Sequence, residues 1–239
     1  MIRIIHMRLE FGYFNSIKNM EEFLARIPLF SNLPKEALHS LTQHCSEQRY
    51  PRSRFVFREG EAAESVWVVK EGWLQLVRHT SIGKPITLFI MTPDEVLCGL
   101  SAFDHSTYSA DGIAVTDASL IHIPAPIFSK LMEEHPAFAR GTLAICCHRI
   151  KKMGQAYAMA YEPVKERIAS VLVRLCEKFG RELPFTHREI AQMAGTTTES
   201  CIRTLSQMKK DGWVRGRRSW VELKNLKSIE RLLNGLRRN

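Results

Sequence analysis

Hydrophobic positions along the chain follow two different periods. Between residues 50 and 124, short apolar stretches recur roughly every 8–12 residues between Gly, Pro and Asp, which is typical of an antiparallel sandwich or barrel. The stretches are Phe55–Phe57, Val66–Val69, Leu74–Leu76, Ile86–Ile90, Ile113–Val115 and Leu120–Ile123. From residue 128 onward, apolar residues recur every three to four positions, which indicates helices. The pattern predicts an α+β protein, with an antiparallel β domain followed by helices.

A long helix is predicted to follow the β domain, after a break at His135 and Pro136. Its apolar residues form what we call the apolar seam: Leu143, Cys146, Ile150, Met153 and Tyr157, with Cys147 as the alternative to Cys146. Such a seam pairs with its own copy in a dimer or packs on its own β domain, and the two interpretations are compatible.

The C-terminal third predicts a winged helix-turn-helix. A helix over Val164–Phe179 precedes a short helix, His187–Ala194, which has Thr186 as N-cap and Glu189 at the capping-box position. A turn at Gly195 leads to a second helix over about Thr198–Lys210. Two short apolar segments then flank a basic turn, and this order of elements is the winged helix-turn-helix layout.

The positive charge of the chain is concentrated in this third. The formal net charge is +9, and residues 161–239 contribute +8 of it, with 17 Lys and Arg against 9 Asp and Glu. A basic domain joined to a neutral one favours a polyanion-binding module, and a basic surface kept for solubility is the alternative. The longest apolar run is six residues (156–161) and there is no secretory pattern, so we expect a cytoplasmic protein without a membrane span.

The second helix of the motif presents chemistry suited to reading DNA. Cys201, Leu205 and Met208 are spaced to face the core, which places Glu199 and Arg203 outside on one face. In the major groove a carboxylate accepts from cytosine N4, and an arginine forks onto guanine O6 and N7. Glu199 in a capping box with Thr196, or in a surface pair with Arg203, remains the alternative.

Several motifs resemble one bacterial family. Residues 163–169 (PVKERIA) and 185–205 (FTHREIAQMAGTTTESCIRTL) are similar to the DNA-binding domain of regulators related to the cyclic-AMP receptor protein and the fumarate–nitrate reduction regulator, the Crp/Fnr family. Residues 28–34 (PLFSNLP), 57–61 (FREGE) and 66–76 (VWVVKEGWLQL) resemble that family's effector-binding β-roll, a cyclic-nucleotide-binding-like jelly roll. The resemblance covers about residues 21–235.

The resemblance implies the following division of the chain: an N-terminal extension (1–20), an effector-binding β-roll (21–134), a dimerisation helix (135–160) and a winged helix-turn-helix (161–239). It further implies a homodimer that binds double-stranded DNA at an inverted repeat and recruits or blocks RNA polymerase. Glu199 and Arg203 match the family residues that read a T-G-A-containing half-site. Ile202 departs from the family's Ser or Gly, either to touch a thymine methyl or to pack. The expected DNA-contacting residues are Thr186, His187, Thr197, Thr198, Glu199, Ser200, Arg203, Arg217 and Arg218.

The effector is not identified by the sequence. The expected pocket residues are Glu95, Cys98, Gly99, Tyr108 and Ser109. Tyr108 stands where cyclic-nucleotide-binding relatives have a phosphate-binding arginine, and no arginine occurs between Arg78 and Arg140, which argues against cyclic AMP. No cysteine precedes Cys45, which argues against an iron–sulfur cluster.

Two other sensing chemistries stay open, as do other classes of function. A haem with His148 as ligand, or oxidation of Cys146 and Cys147, is compatible with the sequence. The histidines are never spaced as His-x-His, and the chain has no GxSxG, HExxH or P-loop motif, so we expect no enzyme and no metal site. A signalling module that binds a protein partner is the remaining alternative.

Overall fold

The computed structural model describes residues 19–97, 99–217 and 219–235. The predictions for Cys98, for Arg218 and for residues 1–18 of the N-terminal extension fall outside this part of the chain. The described residues divide into two compact units. The first runs to Arg78 and from Phe89 to Arg149, and the second comprises His79–Leu88 and the chain from Ile150. None of the described helices is both long and apolar enough to cross a membrane.

Two sheets and several helices lie before residue 135, and of the described residues in this stretch His79–Leu88 are grouped with the second unit. The first helix, α1, covers residues 19–25. The bounds of the elements that follow are α2 Lys35–Gln43, β1 Ser46–Tyr50, β2 Phe55–Phe57, β3 Ser65–Glu71, β4 Leu74–His79, β5 Pro85–Met91, β6 Val96–Leu97, α3 Gly99–Phe103, β7 Asp111–Ala114, β8 Ala118–Pro124 and α4 Ala125–Glu134. The strands form one four-stranded sheet in the order β1-β8-β3-β6 and another in the order β2-β7-β4-β5.

Strand β3 connects two hydrophobic cores. Its side chains alternate between the two faces of the sheet, because successive residues of a strand point in opposite directions. Val66 and Val68 join the helices in a core that includes Phe30, Phe128 and Phe138. Trp67 and Val69 face the other core, inside the β-roll. An uninterrupted apolar run therefore marks a strand that is covered on both sides.

Helix α5, Pro136–Met159, begins directly after the break at His135. Phe138 and Thr142 are buried on one side of it, and Ile145 packs against the same helical core. The Arg149 guanidinium continues this side one turn later and donates a hydrogen bond to the carbonyl of Val96. This side of α5 therefore faces the β domain, and the opposite side does not.

The second unit contains a helical core and a small sheet. Its elements are α6 Val164–Phe179, β9 Glu182–Leu183, α7 His187–Met193, α8 Thr198–Lys210, β10 Val214–Arg217, β11 Trp220–Leu223 and α9 Leu226–Gly235. Strands β10 and β11 form the wing, and β9 pairs with β11. Gly216 lies opposite Val221, where an added Cβ would come within 2.5 Å of the Trp220 carbonyl oxygen, so the wing turns tightly. The unit is a winged helix-turn-helix.

Candidate nucleic-acid interface

Helix α8 is anchored by one apolar line and by an N-cap. Cys201 and Met208 are completely buried and Leu205 nearly so, and the Thr197 hydroxyl accepts a hydrogen bond from the Ser200 amide at 3.1 Å. Burial raises the pKa of the Cys201 thiol to about 12, so this cysteine acts as a small hydrophobic residue. The rotation of α8 is therefore set, and its opposite side is exposed.

Glu199, Ile202 and Arg203 form the exposed side, which we call the base-reading face. The Arg203 guanidinium donates a hydrogen bond from Nη2 to Ser200 Oγ at 3.3 Å. Among the described residues no ion pair joins Glu199 to Arg203. The N-cap is Thr197 rather than Thr196, which is buried, so Glu199 does not close a capping box. Both ionic side chains are available to a ligand.

Helix α7 and the turn hold α8 in place. The Thr186 hydroxyl accepts from the Glu189 amide at 3.2 Å, and the Glu189 carboxylate accepts from the Thr186 amide at 2.6 Å, which completes the predicted capping box. Arg167 Nη1 donates to the carbonyl of Gly195 in the turn at 3.1 Å. Thr186 and His187 are half-buried, and Thr186 caps α7.

The two described arginines of the wing differ. Arg215 forms an ion pair with Glu222 at 3.0 Å, and Lys224 Nζ donates to the same carboxylate at 2.6 Å. The hydrogen bond from Lys224, with the charge of Arg215, lowers the pKa of Glu222. Arg217 is exposed and has no partner within the described part of the chain. Of these two arginines, Arg217 is therefore the one that remains for a phosphate.

The predicted effector residues do not share one environment. Tyr108 is buried, stacks on Phe57 at 4.2 Å between ring centroids, and accepts from Trp67 Nε1 at 3.4 Å. Its hydroxyl donates to the carbonyl of Ser65 at 3.2 Å. We call Phe57, Trp67 and Tyr108 the aromatic cluster. An added Cβ on Gly112 would lie 2.6 Å from the Phe57 ring, so the cluster is pressed against the backbone.

The other predicted pocket residues lie outside this cluster. The Glu95 carboxylate accepts from the Thr92 amide at 2.6 Å and from its hydroxyl at 2.8 Å, and so closes a turn. Ser109 is exposed, and Gly99 begins α3. Arg149, which donates to the Val96 carbonyl, was not among the predicted residues, and sequence reasoning missed this contact with the β domain.

The apolar seam of α5 is exposed along most of its length. Leu143, Ile150, Met153 and Tyr157 are 52%, 66%, 48% and 68% exposed. Cys147 is exposed and Cys146 half-buried, and burial raises the pKa of Cys146. Tyr161, which was not among the predicted residues, extends this face, since its hydroxyl lies 2.8 Å from that of Tyr157. His148 is exposed, and no group of three or more metal-binding side chains occurs among the described residues.

A β-roll joined to a winged helix-turn-helix defines a class of DNA-binding regulators with an effector-binding domain. Residues 47–135 match the cyclic nucleotide-binding domain family, and residues 166–232 match the Crp-like helix-turn-helix domain family. FixK2 from Bradyrhizobium japonicum has the same fold, with a TM-score of 0.72 at 20% identity over 79% of this chain and 96% of that chain.

Curated relatives extend over nearly the whole chain. The cyclic AMP receptor protein of Thermus thermophilus is 26% identical over 211 residues, which cover 87% of this chain and 98% of that protein. The CRP-like cAMP-activated global transcriptional regulator of Mycobacterium tuberculosis is 25% identical over 205 residues, covering 82% of this chain and 92% of that protein. The chain belongs to the Crp/Fnr family of transcription regulators. The expected fold class and class of regulator are confirmed.

Proposed function

We propose that the chain acts as a homodimer on an inverted repeat, where Glu199 and Arg203 of each copy read the base edges of one half-site. The observation that carries this is the exposure of both side chains, neither of which forms an ion pair among the described residues, on a helix whose rotation is set by its buried line. Arginine forks onto guanine and a carboxylate accepts from cytosine N4, so the pair suits the T-G-A-containing half-site of the family.

The apolar seam of α5 supports the dimer. Four of its side chains are about half or more exposed to water, and they repeat at helical spacing along α5. A second copy of α5 would remove this surface from water, which is the driving force for pairing. Two recognition helices would then be presented to two half-sites by one symmetric molecule.

The aromatic cluster argues against one class of effector, a cyclic nucleotide held through its phosphate. Tyr108 occupies the position of the family's phosphate-binding arginine, is already satisfied by Trp67 and Ser65, and supplies no charge for an anion. We therefore propose that the effector is not a cyclic nucleotide held through a phosphate at this position. The regulator would act by binding DNA in the cytoplasm, by recruiting or blocking RNA polymerase, and without catalysis.

Selection from a pool of random duplexes tests the DNA-reading proposal. The full chain is used as purified, and in parallel with a deproteinised cell extract that supplies small molecules. We expect enrichment of an inverted repeat whose half-sites contain a G·C pair, with half-site centres about one helical turn apart. Retention of all sequences alike would contradict base reading, because phosphate contacts alone carry no sequence information.

A charge placed in the seam tests the dimer. Ile150→Asp should shift the native mass of the protein, measured by light scattering, from dimer to monomer, since a carboxylate on this face would be buried on pairing. Gln155→Asp is the matched control, because residue 155 is exposed on the same helix away from the seam. A monomeric wild-type protein, or a dimeric Ile150→Asp protein, would contradict the proposal.

A further inference from the structure

Ile202 is an apolar side chain on a polar helix face. It is 43% exposed and is the one large hydrophobic side chain that is strongly exposed among the described residues after Tyr161. Cys201 beside it is completely buried and is the residue that faces the core at this turn. Ile202 is covered over part of its surface, and the rest of its side chain is open to a ligand.

Ile202 projects from the same part of α8 as Glu199 and Arg203. Glu199 lies three residues before it and Arg203 one residue after it, and residues three apart on a helix share a face. Both neighbours are exposed, so all three side chains project from the same turn of α8. A single exposed isoleucine is ordinary on a protein surface, but this one lies on the same turn as the two side chains that we assign to base edges.

The major groove offers one apolar feature that matches such a side chain. Among the four base pairs, only those with thymine present a methyl group there, at C5 of the base. Arg203 and Glu199 supply the donors and acceptors of this face, and Ile202 supplies its apolar surface. An apolar contact with a methyl group gains from removing both surfaces from water.

We propose that Ile202 is a specificity-determining residue that selects a thymine, through its 5-methyl group, next to the base pair read by Glu199 and Arg203. This inference depends on the proposed DNA-reading function. It extends the DNA sequence that the protein reads by one base, a thymine that Glu199 and Arg203 do not select. Serine in place of Ile202 would keep the helix face polar and remove this preference.

Deoxyuridine substitution tests the contact, because it removes the methyl group and leaves the base pairing intact. Each thymine of the selected half-site is replaced in turn, and the affinity of each duplex is measured by fluorescence anisotropy. With the wild-type protein, one position should lose affinity about fourfold, the size of one buried methyl contact. With Ile202→Ala, the same replacement should have no effect. Ile202→Val keeps a branched apolar side chain and should retain most of the sensitivity.

Arg203→Lys serves as the matched control, since it weakens binding at the neighbouring position and leaves Ile202 in place. It should show the same fourfold loss with deoxyuridine as the wild type. An equal loss in the wild type and in Ile202→Ala, or no sensitive thymine in a selected site, would overturn the assignment of Ile202 alone. A pool without any enriched sequence would overturn the proposed function, and this inference with it.

Discussion

The polar groups on the base-reading face of α8 are exposed to solvent, whereas the polar group of the aromatic cluster in the β-roll is buried and hydrogen-bonded. On α8, Glu199 and Arg203 are exposed, and within the described part of the chain the guanidinium of Arg203 makes one long hydrogen bond, to Ser200. In the β-roll, the Tyr108 hydroxyl is buried and already bonded to Trp67 and Ser65. A polar group with no partner in the folded chain is available to a ligand, whereas a satisfied one stabilises the fold. The comparison predicts that the two regions respond differently to substitution.

The largest expected effect is on stability, in the β-roll. Tyr108→Ala should lower the free energy of unfolding by about 3–5 kcal/mol, as for other buried aromatic side chains, because it leaves a cavity beside Phe57. Tyr108→Phe keeps the ring and should cost about 1 kcal/mol, through the lost hydrogen bonds. Urea denaturation of the full chain measures both. A Tyr108→Ala protein as stable as the wild type would mean that the cluster is not a core.

Arg203→Ala should weaken sequence-specific DNA binding and leave the stability of the fold almost unchanged. We expect a loss of about 1–3 kcal/mol of discrimination between the selected site and random duplex, because one bidentate contact is removed. The free energy of unfolding should be almost unchanged, since the side chain is exposed. Equal losses on both duplexes would show that Arg203 contacts a phosphate.

The wing should contribute less to DNA affinity than Arg203 does, and its contribution should be the same for all sequences. Arg217→Ala should weaken binding to all duplexes alike and reduce the slope of log affinity against log salt by about 0.9, the value for one phosphate contact. Arg215→Ala is the comparison, since Arg215 is already paired with Glu222 and its loss should change the slope less. A larger effect from Arg215 than from Arg217 would contradict this assignment.

The smallest effect concerns acid stability in the β-roll. Burial lowers the pKa of His122 below its usual 6.5, and the ring lies 2.6 Å from Ser65 Oγ and packs on Trp67. The unfolded state therefore binds the proton more readily, so stability that is complete above pH 6.5 should fall as the pH drops through the pKa of the folded state. Melting temperatures at pH 8 and pH 5 measure this fall. His122→Gln should show a smaller one, and an equal fall would assign it to other groups.

Local patterns predicted the second unit closely. The bounds of α6 and α8, the capping box of Thr186 and Glu189, and the buried line of Cys201, Leu205 and Met208 all follow from spacing within one or two helical turns. These features depend on contacts between residues that are near one another in the chain, and such contacts leave a periodic trace in the sequence. The outward direction of Glu199 and Arg203 followed from the same trace.

Only the tertiary structure decided which side of a helix or strand meets which partner. Cys146 and Cys147 both fit the repeat of the apolar seam, and the position of the β domain determines that Cys147 is the exposed one. The contact of Arg149 with Val96, and the stacking of Tyr108 on Phe57 over Gly112, join residues about fifty positions apart. The sequence by itself determined the two helices of the helix-turn-helix, their order and the chemistry of the recognition helix. Long-range packing decided the rest, because it depends on how separate elements meet, and no single segment records that.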